Sequence, residues 1–159
     1  MNIFVEKFLN KIQQPTNVAS LVLFRFGFGI IMFWEISRYF YYGWVEDIYS
    51  INQFHFQYKW FQWIRPLPEG GMYIVFGGLG ISALMIAFGL YYRIASLFFF
   101  LGYSYVFLID QAAYNNHFYL ICLLSFVLTL APLNNSYSLD VLLGNVSHSE
   151  KLPALWLWL

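Results

Sequence analysis

Apolar and polar positions fall in long blocks along this chain, and four of the blocks are predominantly apolar over about 15 residues or more. They lie at about 19–41, 71–90, 93–110 and 117–132. A bilayer core of about 30 Å needs roughly 20 helical residues at 1.5 Å each, so each block is read as a membrane span. The second span has no charge between Glu69 and Arg93. Its Gly77, Gly78, Gly80, Ser82 and Ala83 allow a neighbouring helix to come close. The fourth stops at Pro132, where a helix does not easily continue. The first is unusual, because Arg25, Glu35 and Arg38 lie inside it.

Outside these blocks the pattern changes. Phe4, Phe8 and Ile12 recur every four residues among Glu6, Lys7, Asn10 and Lys11, which predicts a short interfacial helix over 1–17. The aromatic stretch at 44–65, WVEDIYSINQFHFQYKWFQWIR, predicts one or two helices at the headgroup level, ended by Pro66 and Pro68. The segment 134–159 reads as a polar tail followed by PALWLWL, the first turns of another apolar helix opened by Pro153. The expected fold is therefore all-α, a polytopic helical membrane bundle over 18–133 with about four transmembrane helices plus interfacial amphipathic ones.

Composition supports the same class. Only 10% of residues are charged and 60% are hydrophobic, whereas a soluble domain carries roughly 25% charged residues. Eight Lys/Arg balance eight Asp/Glu, so no basic field exists to hold nucleic acid. A single cysteine, Cys122, excludes an internal disulfide. With the N-terminus cytoplasmic, Lys7, Lys11, Arg93 and Lys151 fall inside and only Lys59 and Arg65 outside, the bias the positive-inside rule favours. The lipid bilayer is the expected partner. The expected location is a bacterial inner membrane or the endoplasmic reticulum.

Ionisable groups within a span are costly and point by default to function. Glu35 and Arg38, three apart on one helix, are neighbours; a buried packing pair and a ligand-positioning pair both fit. Arg25 lies nearer the cytoplasmic end and is expected to snorkel toward it. Ahead of the fourth span stands Asp110-Gln-Ala-Ala-Tyr114-Asn115-Asn116-His117. As a helix, it would bring Asp110, Tyr114 and His117 to one face. His117 is suited to proton exchange near neutral pH, or else it only fills a first helical turn that Asn116 caps. The three histidines show no metal-ligand spacing, so no metal is expected.

The segments FWEISRYF (33–40), FHFQY with FQWIRPLPEGGMY (54–73), AFGLYYRIA (87–95), YVFLIDQAAYNNHFYL (105–120) and NNSYSLD (134–140) carry a resemblance. The chain resembles the transmembrane part of the vitamin K-dependent γ-glutamyl carboxylases and their bacterial relatives, the horizontally transferred transmembrane domain family. The resemblance implies a lyase-type chemistry. Vitamin K hydroquinone, or a related quinone, is oxygenated to its epoxide, and the reaction yields a base that deprotonates a peptidyl glutamate for γ-carboxylation. It also assigns Asn116 and His117 to quinone binding, with His117 as the catalytic candidate and Tyr114 and Asp110 beside them.

Two departures shape the expectation. Many relatives carry lysine where this chain has Gln111, and the family's catalytic lysine follows the polar tail, matching none of Lys7, Lys11, Lys59 or Lys151. The chain is thus expected to be the N-terminal membrane part of a carboxylase-like protein, inactive alone, with a glutamate-containing peptide engaged by regions beyond it. The alternative is a non-catalytic membrane scaffold or secretion factor built on the same domain.

Overall fold

A computed structural model describes residues 15–51, 54–68, 70–112, 114–149 and 151–153. Four apolar helices carry the fold: α1 (Ala19–Tyr41), α3 (Gly71–Phe88), α4 (Tyr92–Ile109) and α5 (Asn116–Leu130). Two short helices, α2 (Trp44–Glu46) and α6 (Leu139–Leu142), sit in the connections. The helices α1, α3 and α4 are long and apolar enough to cross a membrane, and α5 is apolar but shorter. Its 15 residues rise about 22 Å.

Local chemistry sets the helix ends. Gly70 and Gly89, both in the left-handed region, bracket α3; glycine adopts that conformation without a Cβ clash. Asn115 caps α5 by accepting the His117 N–H, and Ala131, held extended before Pro132, ends it. The cap is therefore Asn115, one residue earlier than the sequence suggested.

Neighbouring spans pack in the order α1–α3–α4–α5. The closest approach is between α1 and α3, where a Cβ on Gly29 would stand 2.5 Å from the Ala83 carbonyl oxygen and 2.6 Å from the Ala87 nitrogen. Phe28 meets Phe99 edge-to-face at 5.7 Å, and Met32, Leu79, Ile86 and Leu128 fill the buried core around them. Large apolar side chains also point outward: Ile74, Ile81 and Ile94 are 79%, 63% and 70% exposed. A water-facing surface would not present them so regularly, but lipid would.

Several sequence expectations change here. The surface helix expected over 1–17 lies outside the described residues except for its last part. There Pro15–Asn17 forms strand β1, paired antiparallel with β2, Lys151–Pro153. Pro153, expected to open a helix, thus stands in a strand; its fixed φ suits an extended edge as well as a helical first turn. The rest of that expected helix, 154–159, lies outside the described residues.

The aromatic segment is helical only in its first part, as α2 and the π-helical turn Asp47–Ile51. From 54 to 68 the chain is non-helical, with turns at 59–60 and 62–63. The cause is a long-range pairing: the Phe56 N–H donates to Asp110 Oδ1 at 3.1 Å, and the Gln111 N–H donates to the Phe56 carbonyl at 2.6 Å. Those backbone groups are then committed elsewhere and cannot close helical turns. Trp60 and Trp63 remain exposed, at 82% and 77%, as rings at a membrane interface would be.

Arg25 does not snorkel. It is 1% exposed and donates to the carbonyls of Leu133 at 2.6 Å and Tyr137 at 2.7 Å. The first span and the segment after the fourth are thereby clamped together.

Candidate functional site

The polar groups within the apolar framework gather at the two ends of the bundle. At the Arg25 end, the segment after α5 folds back onto the 89–91 turn. Asp140 accepts the Tyr91 N–H at 2.8 Å and the Tyr92 N–H at 3.1 Å, and Asn134 Nδ2 donates to it at 3.0 Å. Burial opposes ionisation of this carboxyl. The bonds from Asn134, Tyr92, Tyr91 and Asn145 outweigh it and hold its pKa below the ordinary carboxylate value. Sequence reading passed over Asp140, because nothing local in NNSYSLD reveals a partner some 50 residues upstream. This end is a structural lock.

The other end holds the candidate site. The last turns of α1, the π-helical turn, α3, the C-terminal part of α4 and the start of α5 enclose a cavity of about 30 Å³. Its polar lining is Glu35 and Tyr39 of α1, Tyr49 of the π-helical turn, Tyr103 of α4, and Asp110. Phe76, Phe107 and Phe118 supply aromatic walls. Turns of the π type are rare and occur disproportionately at functional sites. Burial pushes the Tyr49 phenol well above its usual range, and Tyr39, Asp110 and Tyr105 add to the effect. Tyr49 is accordingly neutral and available as a hydrogen-bond donor. His55 stacks on Tyr49 at 6.3 Å and reaches the Ile48 carbonyl through Nε2 at 3.1 Å. That bracing anchors FHFQY to the cavity roof.

Sequence reasoning expected Asp110, Tyr114 and His117 on one helical face. The structure separates them, because Asp110 is extended and α5 begins only at Asn116. Asp110 turns toward the cavity and the Phe56 backbone, while Tyr114, Asn116 and His117 are exposed. Tyr114 keeps a ring contact with Phe107 at 6.0 Å, so this exposed group forms a rim beside the cavity wall.

The geometry also sets the tautomer of His117. Asn115 Oδ1 accepts the His117 backbone N–H at 3.1 Å, which identifies that atom as oxygen; it also lies 2.7 Å from His117 Nδ1. In the neutral imidazole this places the hydrogen on Nδ1 and leaves Nε2 as the acceptor. Asn115 is the residue sequence reading missed: it both caps α5 and orients the imidazole.

Glu35 and Arg38 do meet, at 2.7 Å. The pair is not buried, however: Arg38 is 41% and Glu35 28% exposed, and the guanidinium lies 5.4 Å from the Trp44 ring centroid. Only the Glu35 side lines the cavity.

No solved structure matches this chain. The profile of the HTTM domain matches residues 13–159, nearly the whole sequence. The chain belongs to the HTTM domain family, the N-terminal transmembrane domain of the vitamin K-dependent carboxylases, and is an integral membrane helical bundle.

Proposed function

We propose that this domain binds a reduced quinone, vitamin K hydroquinone or a relative of it, as the N-terminal membrane part of a γ-glutamyl carboxylase-like protein. The observation that carries the reading is His117, whose Nδ1 is tied to Asn115 and whose Nε2 is presented as an acceptor on an exposed rim. A hydroquinone is a flat ring with two hydroxyl donors. Nε2 of His117 and the Asn116 amide can meet a hydroxyl, and the Tyr114 ring can meet the flat face. The cavity, at about 30 Å³, is far smaller than the roughly 300–1,000 Å³ of small-molecule pockets. The small volume supports a ring held at the rim rather than inside.

When bound, the hydroquinone supplies the oxygen-driven base that prepares a peptidyl glutamate for carboxylation. The residues of this chain hold and orient it. A lysine able to deprotonate it would have to be buried and neutral; Lys59 and Lys151 stand in the aromatic segment and in β2, outside the spanning helices. In this reading the described helices hold and orient the quinone and do not themselves supply the lysine that deprotonates it. The Lys/Arg distribution supports a cytoplasmic N-terminus, in a bacterial inner membrane or the endoplasmic reticulum.

Titrating a short-chain naphthoquinol into the domain in nanodiscs, under anaerobic conditions, tests the proposal. Saturable binding is expected, weakened about tenfold (about 1.4 kcal/mol) by His117→Ala. Absence of saturable binding would reject it. That outcome would favour the second reading, a non-catalytic membrane scaffold, which the tightness of the cavity supports.

A further inference from the structure

The cavity behind the rim carries an inference that does not depend on quinone binding. Tyr103 is 8% exposed, yet among the described residues no protein group hydrogen-bonds its hydroxyl. The same holds for the hydroxyls of Tyr39 and Tyr49, both half-buried and both lining the cavity. The Tyr103 phenol lies within electrostatic reach of Glu35, Tyr39 and Tyr49, and that of Tyr49 within reach of Asp110 and Tyr39. The polar groups therefore converge on one space.

Acceptors for these donors are present but do not touch them. Glu35 takes Arg38 on Oε2, and Asp110 takes the N–H groups of Phe56 and Ala112 on Oδ1. Oε1 of Glu35 and Oδ2 of Asp110 have no hydrogen bond among the described residues. These mostly half-buried donors and acceptors face one space without touching, and a bridging water is the usual partner for groups so placed. A water needs about 10–15 Å³ and two to four polar partners, whereas apolar cavities stay dry. A cavity of 30 Å³ has room for about two.

We infer that this cavity is a bound-water site, in which about two waters join the hydroxyls of Tyr39, Tyr49 and Tyr103 to the remaining oxygens of Glu35 and Asp110. The result is a continuous hydrogen-bonded chain from the end of α1 to the start of the 110–115 loop. Such a chain can pass a proton in either direction, each link accepting one and releasing one, with no net chemical change. It gives Glu35 a route to Asp110 that avoids the lipid.

Radiolytic footprinting of the whole chain in nanodiscs, in ¹⁸O-labelled water, reads bound water directly, because hydroxyl radicals form in place and oxidise the nearest rings. Tyr103 and Tyr49 are expected to take up the label several-fold faster than Tyr92 and Phe99. Those two are 0% exposed and stand outside the cavity lining. Labelling of Tyr103 at the rate of Tyr92 would overturn the inference. Tyr103→Phe should lower the labelling of Tyr49 as the water loses a partner; undiminished labelling in a variant of unchanged melting temperature would overturn Tyr103's part in the site. Because wild-type rates give the main comparison, poor folding of the variant does not remove the test. Quinol binding can fail while labelling succeeds, and the reverse.

Discussion

Asp140 stands 2.8 Å from the Tyr91 backbone nitrogen, and so caps a helix that begins nearly 50 residues before it in the chain. Tyr91 itself has a left-handed φ of 42°, a conformation a bulky residue adopts only when its surroundings enforce it. The capping carboxylate is part of that enforcement. Asp140→Asn keeps one acceptor but loses the charge, and hydrogen bonds to charged groups are worth about 1.5–3 kcal/mol each. A loss on the order of 2 kcal/mol is expected, read as a lower unfolding midpoint in mild detergent.

The same carboxyl sets a pH dependence. Its folded pKa lies below the ordinary carboxylate value, so its stabilisation is complete above about pH 4 and is lost as pH falls through the folded pKa. The gap in melting temperature between wild type and Asp140→Asn should be widest near neutrality and close on acidification below about pH 4. A gap that stays constant down to strong acid would show that ionisation of Asp140 contributes nothing.

The α1–α3 contact makes a paired prediction from two glycines two positions apart. At Gly29 a methyl group would enter the backbone of Ala83 and Ala87, whereas at Gly27 nothing lies within 4 Å. Overpacking typically costs 1–3 kcal/mol, and Ala exceeds Gly in a helix by about 1 kcal/mol. Gly29→Ala should therefore unfold at a markedly lower SDS fraction than wild type. Gly27→Ala should unfold at the same fraction or a higher one.

The half-exposed geometry of the Glu35–Arg38 pair predicts a small stability effect. Pairs of this exposure contribute about 0–1 kcal/mol. Glu35→Gln and Arg38→Gln should each fold with near-normal yield. A collapse of either, with inclusion of the protein in aggregates, would mean the charges are held in a drier place than their exposure indicates.

The proposed orientation puts the 110–115 loop on the non-cytoplasmic side. Gln111 is exposed and the natural Cys122 is buried, so Gln111→Cys gives a clean reporter. It should react with a membrane-impermeant thiol reagent added outside intact cells. Reaction only after the cytoplasmic face is opened would invert the topology.

The spanning helices were legible because their signals are local. Long apolar blocks, and Pro132 after the fourth, mark the spans to within about two residues. What escaped reading depends on partners distant in sequence. Arg25 reads as a snorkelling side chain until the carbonyls of Leu133 and Tyr137 are placed beside it. FHFQY reads as interfacial helix until Asp110 and Gln111 take its backbone bonds. In the candidate site, Asp110 and His117 were identified as chemically active residue types, but the helical face expected to join them does not form, because an extended Asp110 breaks the period. The three cavity tyrosines come from three separate elements and share no motif at all.

The Arg25 clamp also sets an order of events during synthesis. The first span reaches the membrane with a guanidinium whose acceptors, on Leu133 and Tyr137, are encoded 108 and 112 positions later. At about 5–20 residues per second, the nascent helix waits roughly 5–20 s for them. Until then its guanidinium lacks both acceptors, although the second and third spans have already been made. The clamp is thus completed only by the segment that follows the fourth span, and a ribosome that stalls before that segment emerges leaves four spans made and the Arg25 guanidinium unanswered.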